Sequence, residues 1–346
     1  MAGVFGLLLA PVALALVVPN ELSQAPQQPG LIDLHVDLPY QVNFQHQDVG
    51  RGVGQYDHRW LREAGVEGVI LPLYVPRNAS PRGPLLRHLE QSHRRMVELL
   101  PDVGGYRLGL CGGSTGATGV QFSFEGAEPL GRHLDALSDW TSRGVRLFGL
   151  VHAYDTSLAS SSGQGTGVRG YGLSERGREL VRRVHRLGGI VDISHASDEA
   201  VADVLAQAEA ASRPVVATHS NARRLANHPR NLTDAQLRAV AATGGLVGIN
   251  FHSRYLLGGA GQAHISDVVR HVQHAAAVMG IRHVAIGSDF EGGITPPQGL
   301  EDIRGLPQLA RALWEAGRSE ADVRAVFGGN AKRLLCSNSS GAARAP

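Results

Sequence analysis

Residues 189–195 read Gly-Ile-Val-Asp-Ile-Ser-His, and residues 214–219 read Pro-Val-Val-Ala-Thr-His. Each is a short β-branched run opened by Gly or Pro and closed by a histidine, as expected of a strand buried on both faces of a parallel sheet. Between them Ser197 stands as a helix N-cap before the amphipathic stretch 198–211. This strand–helix–strand unit repeats outward in both directions. Further runs lie at 31–35 (LIDLH), 68–75 (GVILPLYV), 119–125 (GVQFSFE), 145–152 (VRLFGLVH), 245–251 (GLVGINF) and 283–289 (HVAIGSD). Ser174 caps a second helix at 175–187, with Leu180, Val181, Val184 and Leu187 at helical spacing, and 264–279 carries a third. Eight such units in roughly 300 residues predict an α/β fold, a single-domain (β/α)8 barrel over residues 31–335 with additional C-terminal helices. A doubly wound sheet is the alternative. No Gly-x-Gly-x-x-Gly follows the first run, and the glycine-rich 112–119 lacks a Gly-Lys-Ser/Thr, so nucleotide-binding folds rank lower. The segment between the second and third runs reads as compressed and glycine-rich.

Composition narrows the function classes. The chain has 346 residues, 43% hydrophobic, with a formal net charge of +2, which excludes disorder. Near-cancelling charges without a basic block argue against nucleic-acid binding. Residues 4–18 form one apolar run of signal-peptide length, short of the ~20 residues a membrane span needs. Residues 1–30 therefore read as a signal peptide or uncleaved N-terminal anchor plus linker, and 336–346 as a low-complexity tail. Export, to a periplasmic, extracellular or membrane-anchored location, is expected, with a cytoplasmic location if the run is not a signal. Cys111 and Cys336 either pair in an oxidising compartment or remain two buried thiols; neither has metal-type Cys-x-x-Cys spacing.

The ends of the runs carry the chemistry. The first closes on His35, followed by Asp37, the third on Glu125, and the fourth on His152. The fifth closes on His195, the sixth on His219 and the eighth on Asp289. In a barrel these positions converge on the C-terminal mouth, where active sites of the fold lie. A histidine at one strand end is more often structural than a ligand; six of eight runs ending this way are hard to ascribe to coincidence. Imidazoles and carboxylates suit Zn²⁺ or a similar divalent ion, and a carboxylate can bridge two of them.

In this order the motifs resemble the membrane (renal) dipeptidase family, peptidase family M19, of the metal-dependent amidohydrolase-type barrels. The carriers are Asp33-Leu-His-Val-Asp-Leu-Pro39, Phe124-Glu-Gly126, Gly144-Val-Arg-Leu-Phe-Gly-Leu-Val-His152 and Gly172-Leu-Ser-Glu-Arg-Gly177. Val191-Asp-Ile-Ser-His195, Thr218-His-Ser-Asn-Ala-Arg223, His228-Pro-Arg-Asn231, Gly287-Ser-Asp-Phe-Glu-Gly292 and Phe327-Gly-Gly-Asn330 complete the set. The resemblance implies that His35 and Asp37 bind one zinc ion, that His195 and His219 bind another, and that Glu125 bridges them. It places His152 at the substrate carbonyl, Arg230 at the dipeptide carboxylate, Asp289 near the substrate amine and Tyr255 against the substrate. Homodimerisation and a membrane tether are implied in the same way. Glu291 stands where the family often has Asp, and Glu125-Gly-Ala replaces the commoner Glu-Gly-Gly.

The expected activity is zinc-dependent hydrolysis of dipeptides bearing a free C-terminal carboxylate. Two cations would lower the pKa of a bridging water to about neutrality. His152 would serve the tetrahedral oxyanion, and Asp289, as catalytic acid–base, would carry the proton to the leaving amine. Arg230 offers the planar fork that suits a carboxylate. The alternatives are a metal-dependent amidohydrolase on another amide, such as an N-acyl amino acid or a β-lactam, and a catalytically silent ligand-binding relative. Asp33 and Asp192 read equally as partners of ligand histidines or as barrel-layer residues. His228 reads as shaping its loop, and His271 and His274 as an exposed helix face. No Gly-x-Ser-x-Gly is present for a nucleophilic serine. Asn78, Asn231 and Asn338 fit the N-glycosylation pattern.

Overall fold

The computed structural model describes residues 28–52, 54–76, 85–112, 116–163 and 171–337. The apolar run at 4–18, Asn78 and Asn338 lie outside the described residues. Nine strands lie among the described residues: β1 (Leu31–Asp33), β2 (Val66–Leu73), β3 (Tyr106–Leu108), β4 (Thr118–Phe124), β5 (Val145–Gly149), β6 (Ile190–Asp192), β7 (Val215–Ala217), β8 (Leu246–Ile249) and β9 (Val284–Ile286). All pairings between them are parallel. Because β1 pairs with both β2 and β9, eight strands close into the expected barrel in the order β1-β2-β4-β5-β6-β7-β8-β9. The segment between β2 and β4 is richer than its glycines imply. It holds the helix Leu85–Val103 and β3, which pairs with Thr118–Val120 before β5 takes over from Phe122.

Helices lie between the strands where the caps place them. Ser174 accepts from Gly177 N to open Glu175–Arg186, and Ser197 accepts from Ala200 N to open Asp198–Ala211. Each satisfies a backbone donor that the first helical turn leaves free. The strands are shorter than the apolar runs, because the chain bends where the chemistry begins. His195 (φ 66°) and Asp289 (φ 65°) adopt left-handed backbone that a strand excludes.

One buried cluster takes side chains from strands all round the barrel and so fills its lumen: Ile32, Ile70, Leu147, Ile190, Val216, Leu246 and Ala285. Ala331 and Leu335 of the final helix, Asn330–Cys336, join the same cluster and close the barrel floor. Cys111 and Cys336 form a disulfide there, so the pairing left open by the sequence is made. Higher up, the lumen admits no side chain at two points. A Cβ on Gly248 would lie 2.0 Å from the Thr218 carbonyl oxygen, and one on Gly287 1.8 Å from it. Among the described residues, no helix is long and apolar enough to cross a membrane.

Two peripheral readings change. His271 is fully buried: its Nδ1 accepts from Ala222 N (3.1 Å) and its Nε2 donates to Leu256 O (3.0 Å). The exposed-face expectation fails there because this helix packs its His271 side under the loop after β7; His274, half-buried, meets Asp234 instead. Asn231 is buried and donates to Ala226 O and Tyr255 O, which closes it to glycosylation.

Candidate metal and substrate site

The six acidic and histidine-bearing strand ends converge on one point at the barrel mouth. Glu125 Oε1 lies 3.0 Å from His195 Nε2 and 3.5 Å from the Nε2 atoms of both His35 and His219. His152 Nε2 is 4.0 Å from the same oxygen, and His35 Nε2 is 3.5 Å from Asp37 Oδ2. His195 and His219 bring their Nε2 atoms within 2.9 Å of each other. Three overlapping donor groups result, each spanning no more than 4.8 Å: His35, Glu125 and His219; Glu125, His152 and His195; and His35, Asp37 and Asp289. Glu125 and His35 each belong to two of them.

The electrostatics of this cluster call for cations. Removal from water pushes Glu125 up to about 8, and Asp37 and Asp289 each to about 7. Neighbouring carboxylates add to the rise in all three. His195 and His219 are held well below the ordinary imidazole range by burial, and His152 falls to about 3 through burial and then the Arg230 charge. Neutral imidazoles therefore face carboxylates that lack compensating charge. His35 Nε2 is buried without a hydrogen-bond partner, aimed at Glu125 and Asp37. Divalent cations would satisfy both the orphaned nitrogen and the crowded acids, so this donor set fits metal ions.

Outside the cluster, several residues hold it in place. Asp33 Oδ1 accepts from His35 N and Ser288 N, tying the end of β1 to the end of β9. Asp192 Oδ1 accepts from Ser194 N and Thr218 N, which ties β6 to β7. Both aspartates thus brace segments carrying metal-type side chains. Asn250 donates to Asp289 Oδ2 (2.9 Å), while Oδ1 lies 2.6 Å from where a Cβ on Gly292 would sit, as does Asp37 Oδ2. Glu291 turns away from the centre: it is buried, and its Oε1 accepts from Tyr56 N.

Arg230 is 3% exposed. Its Nη2 donates to His219 O (3.1 Å), its guanidinium carbon sits 5.4 Å over the Tyr255 ring, and its Nε has no partner. His228 accepts from Arg230 N and stacks on Tyr255 at 4.7 Å, in keeping with a loop-shaping role. A cavity of about 450 Å³ opens beside Glu125 and His152, walled by Tyr74, Pro76, Leu85 and Tyr154. A larger one, about 640 Å³, lies at the opposite end by Cys111 and Cys336, remote from these groups.

Tyr74 and Asn250 are the residues that sequence reasoning passed over. Tyr74 follows β2 and packs 4.5 Å from the His152 ring; Asn250 follows β8. With them every barrel strand sends a polar side chain to the mouth. Their signal was positional: each directly follows an apolar strand, but a phenol and an amide do not stand out as metal-type residues do.

Comparison with known proteins agrees with this geometry. Residues 21–344 match the family model described as membrane dipeptidase, peptidase family M19. The chain is similar to a Klebsiella pneumoniae protein, an uncharacterized protein in the pqqA 5' region. They are 36% identical over 208 residues, 59% of this chain and 75% of that one. Its fold is similar to that of a Rhodobacter sphaeroides metallo peptidase liganded with a phosphinate mimic of the dipeptide L-Ala-D-Ala. That likeness has a TM-score of 0.77 and 28% identity, over 89% of this chain and 99% of the other. The dipeptidase AC, a metallo peptidase of family M19, gives the same TM-score at 29% identity, over 89% and 98% of the two chains. With the family model spanning nearly its whole length, the chain belongs to the membrane dipeptidase family, peptidase family M19, and is a hydrolase of that family.

Proposed function

We propose that the protein hydrolyses dipeptides with a free C-terminal carboxylate, using two zinc ions. His35 and Asp37 would hold one, His195 and His219 the other, and Glu125 would reach both. The observation that carries the reading is the convergence of three imidazole Nε2 atoms on Glu125 Oε1 within 3.5 Å. When bound, such ions supply Lewis acidity and lower the pKa of an attacking water to about neutrality.

The chain's own residues would do the rest. Arg230, desolvated and with Nε unpaired, would take the substrate carboxylate in charge-assisted hydrogen bonds. Tyr255 packs its ring against the guanidinium. His152, neutral and at the rim of the cavity, would donate to the scissile carbonyl oxygen as negative charge develops there. Asp289, pushed to about 7 and anchored through Oδ2 by Asn250, would accept the water's proton and return it to the leaving amine. The 450 Å³ cavity gives side-chain room beside the reacting centre. Export is supported by the Cys111–Cys336 disulfide, since such bonds persist in oxidising compartments.

The test is a panel of dipeptides and N-acyl amino acids assayed before and after chelation. Cleavage of dipeptides that is lost with the metal and restored by zinc is expected. Activity surviving complete metal removal overturns the reading, and cleavage confined to N-acyl amino acids moves it to the other amide class.

A further inference from the structure

The two histidines that the proposed centre divides between its cations share one buried hydroxyl. Thr218 Oγ1 lies 2.9 Å from His219 Nδ1 and 3.3 Å from His35 Nδ1, and Thr218 is fully buried. The same oxygen is 2.6 Å from Asp192 Oδ2. A carboxylate only accepts, and a hydroxyl has one proton and two lone pairs. At 2.6 Å, the separation of a charge-assisted O–H···O⁻ bond, the proton of Thr218 goes to Asp192. What remains toward the histidines, and toward Ser194 Oγ at 3.3 Å, is lone pairs, so in their contacts with Thr218 Oγ1 both Nδ1 atoms are the donors. A neutral imidazole protonated at Nδ1 carries its lone pair on Nε2. In both residues that Nε2 is the atom 3.5 Å from Glu125 Oε1.

We infer that Thr218, polarised by Asp192, is a positioning residue that fixes the tautomers of His35 and His219 together, presenting both Nε2 lone pairs to the metal centre. The inference rests on the two-cation reading above. Asp192 cannot turn to serve otherwise: its Oδ1 accepts from Thr218 N at 3.0 Å and Ser194 N at 2.9 Å, which leaves Oδ2 alone for the hydroxyl. His195 lies outside the arrangement, its Nδ1 having no partner. Removing the hydroxyl would therefore weaken one ligand in each half of the centre rather than one half alone.

The same geometry supplies a shape-conserving reversal. In Asp192→Asn, the two backbone N–H groups require the amide oxygen at the Oδ1 position, so the NH₂ faces Thr218 Oγ1 and donates to it. The hydroxyl proton then turns to the remaining neighbours, of which His219 Nδ1 is nearest at 2.9 Å against 3.3 Å for both His35 Nδ1 and Ser194 Oγ, and it imposes the opposite tautomer on His219. Loss of an outer partner of this kind typically lowers metal affinity ~10–100-fold.

Zinc dissociation constants for both equivalents, from competition with a chromogenic chelator, test this in the full-length chain. Wild type and Thr218→Ser should agree within a few-fold, while Thr218→Val should weaken both equivalents ~10–100-fold and Asp192→Asn chiefly the one held by His219. Should Thr218→Val fail to fold, Asp192→Asn carries the test alone, and ¹⁵N NMR of the imidazoles in the wild-type metal-free chain provides a readout without substitution. Nδ1–H tautomers at His35 and His219 are expected there. An Nε2–H tautomer at either, or unchanged zinc affinity in Thr218→Val and Asp192→Asn, overturns the inference. A wild-type chain that binds no zinc overturns the two-cation reading instead.

Discussion

Breaking the Cys111–Cys336 bond should cost several kcal/mol of stability while leaving catalysis intact. The bond closes a loop across a sequence separation of 225, which takes in six of the eight barrel strands. Chain-entropy arithmetic for a loop of that size gives about 5 kcal/mol as an upper figure, and native disulfides commonly deliver 2–5. The cross-link also fixes the helix Asn330–Cys336, whose Ala331 and Leu335 close the lumen against Ile32 and Ile70. For a folded unit of roughly 300 residues, the unfolding entropy converts 1 kcal/mol into about 1.5 °C, so the midpoint should fall ~3–8 °C. Scanning calorimetry of wild type with and without reductant, beside Cys111→Ser/Cys336→Ser, measures the fall, with thiol titration verifying each redox state. Turnover at 25 °C should be unchanged, because the bond lies at the barrel floor and the donors at its mouth. A midpoint within 1 °C of wild type in fully reduced protein would refute the floor-closing role, and lost turnover at a temperature where the fold is intact would refute the separation of floor from mouth.

Other outcomes follow from single contacts. His271 is held neutral, with its pKa lowered to about 4 chiefly by burial. The unfolded chain gains that proton near pH 6.5, so stability is complete above this value and falls by up to ~1.4 kcal/mol per unit toward pH 4. Denaturant midpoints from pH 7 to 4.5 should show a shallower acid slope in His271→Gln; an unchanged slope would clear His271 of the effect. Gly287→Ala should cost ~3 kcal/mol or more, since its Cβ would sit 1.8 Å from the Thr218 carbonyl oxygen, and a wild-type urea midpoint would show that the lumen has slack. Arg230→Lys should raise KM for dipeptides ~10–100-fold with a smaller change in kcat, because the planar fork is lost and the charge kept. Unchanged KM would remove Arg230 from substrate binding.

The barrel was legible because buried parallel strands announce themselves as β-branched runs between Gly or Pro, and because Ser174 and Ser197 mark helix starts. The candidate centre was legible because His and acidic residues fall at the same place in successive runs. What escaped notice did so for physical reasons. β3 is three residues long and leans on the edge of β4, too short for a periodic signal. His271 looks solvent-facing by residue type, yet the loop after β7 covers it and supplies Ala222 N as a donor. The roles of Thr218 and Asn250 depend on angles between neighbouring strand ends, which no single run encodes. The disulfide joins residues that meet only once the barrel has closed.

The centre itself is tested most directly by the metal content of the purified protein. Inductively coupled plasma analysis of wild type should find two divalent ions per chain, and Glu125→Gln, which removes the carboxylate proposed to serve both sites, should retain fewer, with dipeptide turnover lost. Wild-type protein that hydrolyses dipeptides without bound metal, or Glu125→Gln that keeps both ions and full turnover, would contradict the convergence of His35, His195 and His219 on Glu125 as the basis of activity.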